Sequence, residues 1–515
     1  MFARKLALLT GASLLTVLPT AAQAQASDDI GVEILQLLVD EGIVPAAKAQ
    51  DLLARAKSAA ELRKQREAPS TSQTIDVGYV PQTVRDEIKE EVRKELTEDA
   101  KKQRWIAPDI LPGWLDRISL SGDFRLRHQS EFYADGNFNQ FPDINAINAA
   151  GGVNNTSFPL LNSTVDRKRI QYRARIGVDA QLSKHVRVGF RVASGDDNGP
   201  VSTDATFGDY FRKDGLYIDR AFISVKPVDQ LELTGGRMPN PFVSTDLVWD
   251  QDINPEGVAL SAHYDFGDDL MGLTVFGTGG AFPLQERGGG KANRWLYAGQ
   301  AGFSVAPADD VAIKLAGAYY DFQNVQGEKD KPASRANDFT APPFLAKGNS
   351  IFNIRNDGLT SLAGLASRFE LLDVTGSLSY TGFGPIRVAL TGDYVRNLGY
   401  NRAEIAARRI GEPGSVPSGN TGFQARLDVG HPDLTKFGDW QVSAAYKRIE
   451  TDAVLDIFTD NDFGFGGTDV EGYILRGSLG VYKNTALGFS WYSTKSIERA
   501  PFDIDVLQLD LTAKF

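Results

Sequence analysis

Sixteen segments of this chain alternate apolar and polar residues, and no other feature restricts the fold as strongly. They begin near residues 117, 167, 185, 215, 230, 256, 270, 294, 311, 365, 385, 421, 440, 471, 485 and 505. In the last one, Leu507, Leu509 and Leu511 alternate with Gln508 and Asp510. Successive side chains on a strand point to opposite faces, so each segment would have one apolar and one polar face. The pattern predicts an all-β protein.

The connections between these segments alternate in length. Short turns, such as 183–185 and 483–484, alternate along the chain with long connections, such as 133–166 and 323–361. Transmembrane barrels have short turns at one end and longer loops at the other. A soluble β-sandwich, the alternative for alternating strands, gives no reason for such sorting. The sequence therefore predicts a 16-stranded antiparallel transmembrane β-barrel over residues 117–515.

The first 24 residues have the pattern of a cleaved signal peptide. Arg4 and Lys5 precede the apolar stretch Leu6–Leu18, and Ala22–Ala24 offers a small-x-small cleavage site. No later window approaches 18 consecutive apolar residues. A membrane protein without a helical span must cross lipid as a closed barrel, because unpaired backbone groups cannot face hydrocarbon.

Residues 25–105 are predicted to be a small α-helical segment with a linker, and residues 106–116 a connector into the barrel. The charged stretch Thr83–Trp105 is either a short coiled coil or a solvated helix against the barrel base. An even number of strands puts both barrel ends on one side of the membrane. We expect that side to be the periplasm of a Gram-negative bacterium, with the helical segment in it.

Composition excludes several functional classes. The chain has 55 basic and 66 acidic residues, a formal charge of −11, and no cysteine. The acidic balance argues against a nucleic-acid partner, and the absence of cysteine excludes thiolate metal sites. The four histidines are scattered, and neither an HExxH motif nor a nucleophile elbow is present. We expect no catalytic residues, no metal ligands and no cofactor.

The polar face of the predicted strands indicates which residues would line a lumen. A charged side chain that faces lipid near the bilayer midplane costs about 2–4 kcal/mol, so charges on this face should point to water. The candidate pore-lining residues are Asp123, Arg125, Arg127, Arg173, Arg175, Arg187, Arg191, Arg387, Arg426 and Arg476. The alternative is that these arginines only pair with neighbouring aspartates.

Several stretches resemble the bacterial putative porin family. They are Leu37–Ile43, Gly122–Arg127, Gly236–Phe242, Leu247–Gly257, Arg368–Asp373 and Gly392–Asn397. The resemblance covers the chain from Ile34 to Phe515 and implies an outer-membrane channel for passive diffusion of small hydrophilic solutes and ions. It also implies contact with outer-membrane lipid, recognition of Phe515 by the barrel assembly machinery, and a homotrimer as one expected assembly. It does not supply a substrate.

The resemblance also points to a constriction. In general porins the third long loop folds into the lumen, and here that connection carries Asp246, Asp250, Asp252 and Glu256. Folded inward, its carboxylates would face the arginines of the first strands and orient polar solutes. The alternatives are a solvated outer loop or a calcium site. For the whole protein, the alternatives to a general porin are an anion- or phosphate-selective channel, a barrel enzyme such as a lipase, and a structural anchor.

Overall fold

Sixteen long strands form the body of the protein. The structure, a computed structural model, describes residues 117–196, 199–267, 270–409 and 414–515. The leader, helical segment and connector predicted before residue 117 lie outside the described residues. In chain order the strands are β1 (Ile118–Tyr133), β2 (Arg167–Ser183), β3 (Val186–Gly195), β4 (Gly215–Val228), β5 (Leu231–Arg237), β6 (Glu256–Asp265), β7 (Thr274–Gln285), β8 (Arg294–Ala308), β9 (Val311–Gln323), β10 (Phe369–Phe383), β11 (Ile386–Asn397), β12 (Thr421–Gly430), β13 (Trp440–Ile449), β14 (Val470–Tyr482), β15 (Thr485–Ser496) and β16 (Ile504–Lys514).

The sheet closes on itself, because β1 pairs with both β2 and β16. Arg125 in β1 lies opposite Arg173 on one side and Thr512 on the other. At the seam the Gly122 N–H donates to the Phe515 carbonyl oxygen at 2.9 Å, and the Phe515 N–H donates to the Gly122 carbonyl oxygen at 3.0 Å. A closed sheet has no unpaired edge, which is the condition for strands to cross lipid. The predicted 16-stranded antiparallel barrel is confirmed.

The connections fall into two sets at the two ends of the barrel. The long-loop end carries L1 (134–166), L2 (196–214), L3 (238–255), L4 (286–293), L5 (324–368), L6 (398–420), L7 (450–469) and L8 (497–503). The short-turn end carries 184–185, 229–230, 266–273, 309–310, 384–385, 431–439 and 483–484. The sorting follows the prediction, although L4 and L8 are no longer than the longest turns.

Short elements occur within the loops. They are helix α1 (Ile144–Ala149), helix α2 (Arg402–Arg408), the 3₁₀ turns Asp338–Thr340 and Asp456–Phe458, and the strands Val153–Asn154, Ala205–Thr206, Ile351–Asn353, Thr360–Ser361 and Ala363–Leu365. The two-residue strand Val153–Asn154 of L1 pairs with Thr360–Ser361 of L5, which joins the two largest loops. Within the part of the chain that the structure describes, no helix is long and apolar enough to span a membrane.

The outward face of the barrel is apolar and uncovered. On β1, Leu120 is 62% exposed and Phe124 is 48% exposed, whereas Arg127 on the opposite face is 4% exposed. Apolar side chains are likewise exposed on the outward face of β2, at Ile170 and Ile176. A soluble protein rarely leaves a continuous apolar surface to water, so this belt is the lipid-facing surface.

The interior has an apolar half that the sequence analysis did not predict. Trp249 of L3 packs against Tyr320 and Phe322 of β9 and against Phe458 of L7, with ring centroids 5.5, 6.2 and 5.3 Å apart. Other inward side chains of this half belong to β8, β10 and β11: Leu296, Phe369, Leu371 and Val395. A strand with apolar surroundings on both faces has consecutive apolar residues instead of an alternation. The pair Leu371–Leu372 is such a break in the alternation, with Leu371 inside and Leu372 on the outer face.

A substitution at the seam tests how the barrel closes. A Cβ at Gly122 would lie 2.4 Å from Cζ of Phe515 and 2.6 Å from the carbonyl oxygen of Arg175. Gly122→Leu is therefore expected to lower the yield of folded barrel severalfold, measured as the heat-modifiable band in electrophoresis. Gly299→Leu is the matched control, because a Cβ at Gly299 meets nothing within 4 Å. Equal folding of the two variants would show that the Phe515 contact is dispensable for closure.

Candidate pore constriction

L3 leaves the wall between β5 and β6 and crosses the interior of the barrel. The Val243 N–H donates to Oε1 of Gln300 on β8 at 2.8 Å, and Nε2 of Gln300 donates back to the Val243 carbonyl oxygen at 2.8 Å. Further along, Oγ1 of Thr245 donates to Oδ2 of Asp393 on β11 at 2.5 Å. These contacts tie L3 to β8, which lies two strands from β6, and to β11, which lies five strands from β6.

A buried lysine joins L3 and L7 to the far wall. Lys447 of β13 has no exposed surface, and its Nζ lies 3.0 Å from Oδ1 of Asp246 in L3 and 3.2 Å from Oδ2 of Asp460 in L7. Arg476 of β14 adds a second cation, 3.6 Å from Asp246. Burial raises the pKa of Asp246, but Lys447 and Arg476 outweigh it and hold this pKa below its ordinary value.

The returning half of L3 lies against β2. Oδ1 of Asp252 is 3.0 Å from Nη1 of Arg175 and 4.0 Å from Nη1 of Arg173. Oγ1 of Thr203 in L2 donates to the other carboxylate oxygen at 3.1 Å. Both arginines also contact Asp123 on β1, at 2.9 Å from Arg173 and 2.8 Å from Arg175. Asp252 thus lies against the arginines of β2, whereas Asp246 contacts β13 and β14.

The other two predicted loop carboxylates have different surroundings. Asp250 accepts from the backbone N–H groups of Asp252 at 2.8 Å and Asn461 at 3.2 Å. Burial and the neighbouring Asp460 raise the pKa of Asp250 well above its ordinary value, so it is a weak source of fixed charge. Glu256 is the first residue of β6, is exposed, and lies 3.4 Å from Arg237 rather than near the arginines of β1 and β2.

A polar cavity of about 380 Å³ lies between L3 and the basic wall. Five of the predicted arginines border it: Arg125, Arg127, Arg173, Arg426 and Arg476. The acidic residues on its walls are Asp204, Asp246, Asp250, Asp252, Asp428, Asp460 and Asp462. The cavity is thus bordered by seven carboxyl groups and five arginines.

L2 and L7 contribute carboxylates that were not among the predicted site residues. Oδ2 of Asp204 in L2 lies 2.6 Å from Arg125, and Oδ2 of Asp462 in L7 lies 3.1 Å from Arg127. Arg127 also contacts Asp510 of β16 at 2.8 Å. The sequence does contain an indication of the L7 carboxylates. Asp456, Asp460 and Asp462 have the same spacing as Asp246, Asp250 and Asp252 of L3.

The remaining predicted residues lie away from L3 or at its edge. Arg187 pairs with Asp179 at 2.6 Å near the short-turn end, and both side chains are partly exposed. Arg387 is the second residue of β11, beside the short turn 384–385. Arg191 forms an ion pair with Asp219, whose other carboxylate oxygen accepts from the Asn254 amide at the end of L3 at 2.8 Å.

A second cavity, of about 450 Å³, lies on the long-loop side of L3. Its walls are mainly apolar and include Trp249 of L3, Phe344 of L5 and Phe458 of L7. Ser202 and Asp252 border both this cavity and the polar one. The two cavities thus meet at the point where Asp252 faces the arginines of β2.

Comparisons with known proteins identify a matching family and several similar structures. The family model described as putative porin matches residues 28–515. The chain is similar in structure to OprB of Pseudomonas putida, with 11% identity, a TM-score of 0.44, and coverage of 78% of this chain and 95% of that one.

Two further structures show the same level of likeness. The outer membrane channel DcaP of Acinetobacter baumannii has 11% identity, a TM-score of 0.39, and coverage of 77% and 97%. OmpF of Salmonella typhi, in a complex with daunomycin, has 10% identity, a TM-score of 0.42, and coverage of 77% and 97%. No curated protein sequence matches the chain.

Proposed function

The chain belongs to the putative porin family, which makes it an outer-membrane channel protein, and we propose that it is a passive porin for small hydrophilic solutes and ions. The observation that carries the proposal is the course of L3. This loop crosses the barrel interior and holds Asp252 opposite Arg173 and Arg175. Opposed charges of this kind act on whatever passes between them.

The two cavities suggest the route of permeation. A solute entering from the long-loop end would first meet the apolar cavity bordered by L3, L5 and L7. It would then pass the constriction beside Ser202 and Asp252 and enter the polar cavity below. Because the polar cavity carries both signs of charge, we propose that the constriction orients polar solutes without rejecting either sign strongly.

The pairing of the arginines weighs against a strongly anion-selective or phosphate-selective channel. Arg125 is paired with Asp204 and Arg127 with Asp462, so the row of arginines is largely compensated. A ladder for anions would need uncompensated cations along the path. The passive porin is therefore the better supported of the two channel proposals.

Single-channel recording in a planar bilayer with a salt gradient tests the proposal. We expect stepwise ohmic conductance and a small reversal potential. A well-folded, inserted protein that leaves the bilayer sealed would contradict the porin and favour the structural anchor. A large reversal potential of anionic sign would favour the anion-selective channel. The same preparation, run by native size analysis in detergent, tests the proposed homotrimer.

The proposal also assigns the segment before the barrel to the periplasm, as a part that is dispensable for conduction. Within the part of the chain that the structure describes, the strands from Ile118 onward close the barrel by themselves, since β1 pairs with β16. Deleting residues 25–105 while keeping the signal peptide is expected to leave a barrel that inserts and conducts at the wild-type level. The measurement is single-channel conductance together with heat-modifiable mobility. Loss of the folded barrel would show that this segment takes part in assembly.

A further inference from the structure

Two carboxylates are buried side by side in the barrel wall without a cation. Asp373 of β10 and Asp393 of β11 are 1% and 4% exposed. Among the residues that the structure describes, neither forms an ion pair with Lys, Arg or His. Lys447, a nearby buried cation, is occupied by Asp246 and Asp460. A buried, unpaired carboxylate is too costly to remain ionised, so something must neutralise this pair.

The surrounding oxygen atoms also lack partners. Both carboxylate oxygens of Asp373, Oδ1 of Asp393, Oγ1 of Thr375 and Oε1 of Gln424 form no hydrogen bond of ordinary geometry with the described residues. The side chains of Asp373 and Thr375 nevertheless lie within reach of the Asp393 carboxyl group. Thr375, Asp393 and Gln424 lie directly opposite one another across β10, β11 and β12. Their side chains point to the interior, where Thr375 and Gln424 are 5% and 3% exposed. The unpartnered oxygens are thus concentrated on one small area of the wall.

This set of oxygens matches the preferences of a hard divalent cation. Calcium takes six to eight oxygen ligands from carboxylates, amide carbonyls and water, in irregular geometry. Two carboxylates would balance its charge, and the two neutral side chains would complete part of the ligand shell. Magnesium demands near-ideal octahedral geometry and keeps most of its water, which suits a buried wall less well. Among the described residues, no group of three or more His, Asp or Glu side chains is arranged to hold a metal ion, so such a site would depend on the neutral oxygens.

We propose that Asp373 and Asp393, with Thr375 and Gln424, bind a calcium ion in the wall behind L3. The site differs from a calcium site on L3 itself, where Asp246 and Asp252 are already paired with Lys447 and Arg175. Its consequence concerns L3, because the other oxygen of Asp393 accepts from both the N–H and the Oγ1 of Thr245. The ion fixes the carboxylate that anchors the loop.

Metal analysis of the full mature chain tests the site without relying on conduction. The protein is refolded in detergent, free of lipopolysaccharide, stripped with a chelator, equilibrated with calcium chloride and freed of unbound ion. Wild type is expected to retain one calcium ion more per chain than Asp373→Asn or Asp393→Asn. Asp428→Asn is the matched control, because Asp428 also lines the interior but is paired with Arg426 at 3.0 Å. Heat-modifiable mobility confirms that each variant is folded.

Two results would overturn the proposal. Equal calcium content in wild type and folded Asp373→Asn would show that the bound ions are elsewhere on this acidic protein. If wild type retains no excess calcium, and Asp373→Asn changes only the pH dependence of thermal stability, the two carboxylates share a proton instead. If the ion does anchor L3 through Asp393, chelation should increase the open-channel current noise of wild type. The noise of Asp373→Asn should then be unchanged by the chelator.

Discussion

Replacing Asp252 with Asn is expected to shift the reversal potential toward anions and to leave the barrel folded. The change removes a carboxylate that lies 3.0 Å from Arg175 and 4.0 Å from Arg173, which leaves part of the arginine field uncompensated. In water, unit charges about 4 Å apart interact by about 1 kcal/mol, which corresponds to roughly a fivefold change in the ratio of cation to anion permeability. The backbone pairing of the wall does not involve this side chain.

The measurement is the reversal potential in a salt gradient at low ionic strength. The Debye length is about 10 Å at 0.1 M salt and about 3 Å at 1 M, so the shift should shrink at high salt. Glu404→Gln is the matched control, since it removes the same charge from an exposed side chain of L6 that pairs with Arg368 at 3.0 Å and borders neither cavity. Arg173→Gln should shift the potential in the opposite direction. If Asp252→Asn has no effect while Arg173→Gln does, permeating ions do not pass Asp252.

Replacing Lys447 with Met is expected to release L3 and L7 from the wall. This lysine is fully buried and is the shared partner of Asp246 and Asp460. Removing one partner of a buried ion pair costs about 3–5 kcal/mol, because a charge is left buried and unpaired. The loops can relieve this cost by moving toward water, whereas the β13 backbone keeps its pairing with β12 and β14.

Single-channel recording would show this as a higher mean conductance with increased current noise. Lys314→Met is the matched control, because Lys314 is also an inward lysine but contacts the Phe276 ring rather than a carboxylate. Heat-modifiable mobility should show both variants folded. A folded Lys447→Met channel with wild-type conductance would mean that the other contacts of L3, to Gln300, Asp393 and Arg175, hold the loop without Lys447.

The sequence alone was sufficient to predict the strands of the barrel wall. Most predicted strand starts lie within one residue of the observed ones, and those of β7 and β10 lie within four. The two-residue period is a local property, and lipid on one side and water on the other enforce it in every strand. Arg125 and Arg173, which the same pattern assigned to the inner face, border the polar cavity. The pattern failed where the inner face is not wet, as at Leu371 and Phe369, which are covered by the loops.

The destination of each loop was decided only by the tertiary structure. Asp246 and Lys447 are separated by 201 residues, and no local pattern at either position indicates that they meet. Likewise, the aspartates of L2 and L7 became part of the polar cavity because those loops fold inward beside L3. The two environments of a strand leave an alternating pattern in its own sequence. The environment of a loop depends instead on the distant side chains that pair with its buried charges. The alternation therefore determined the barrel, and the long-range ion pairs determined the constriction.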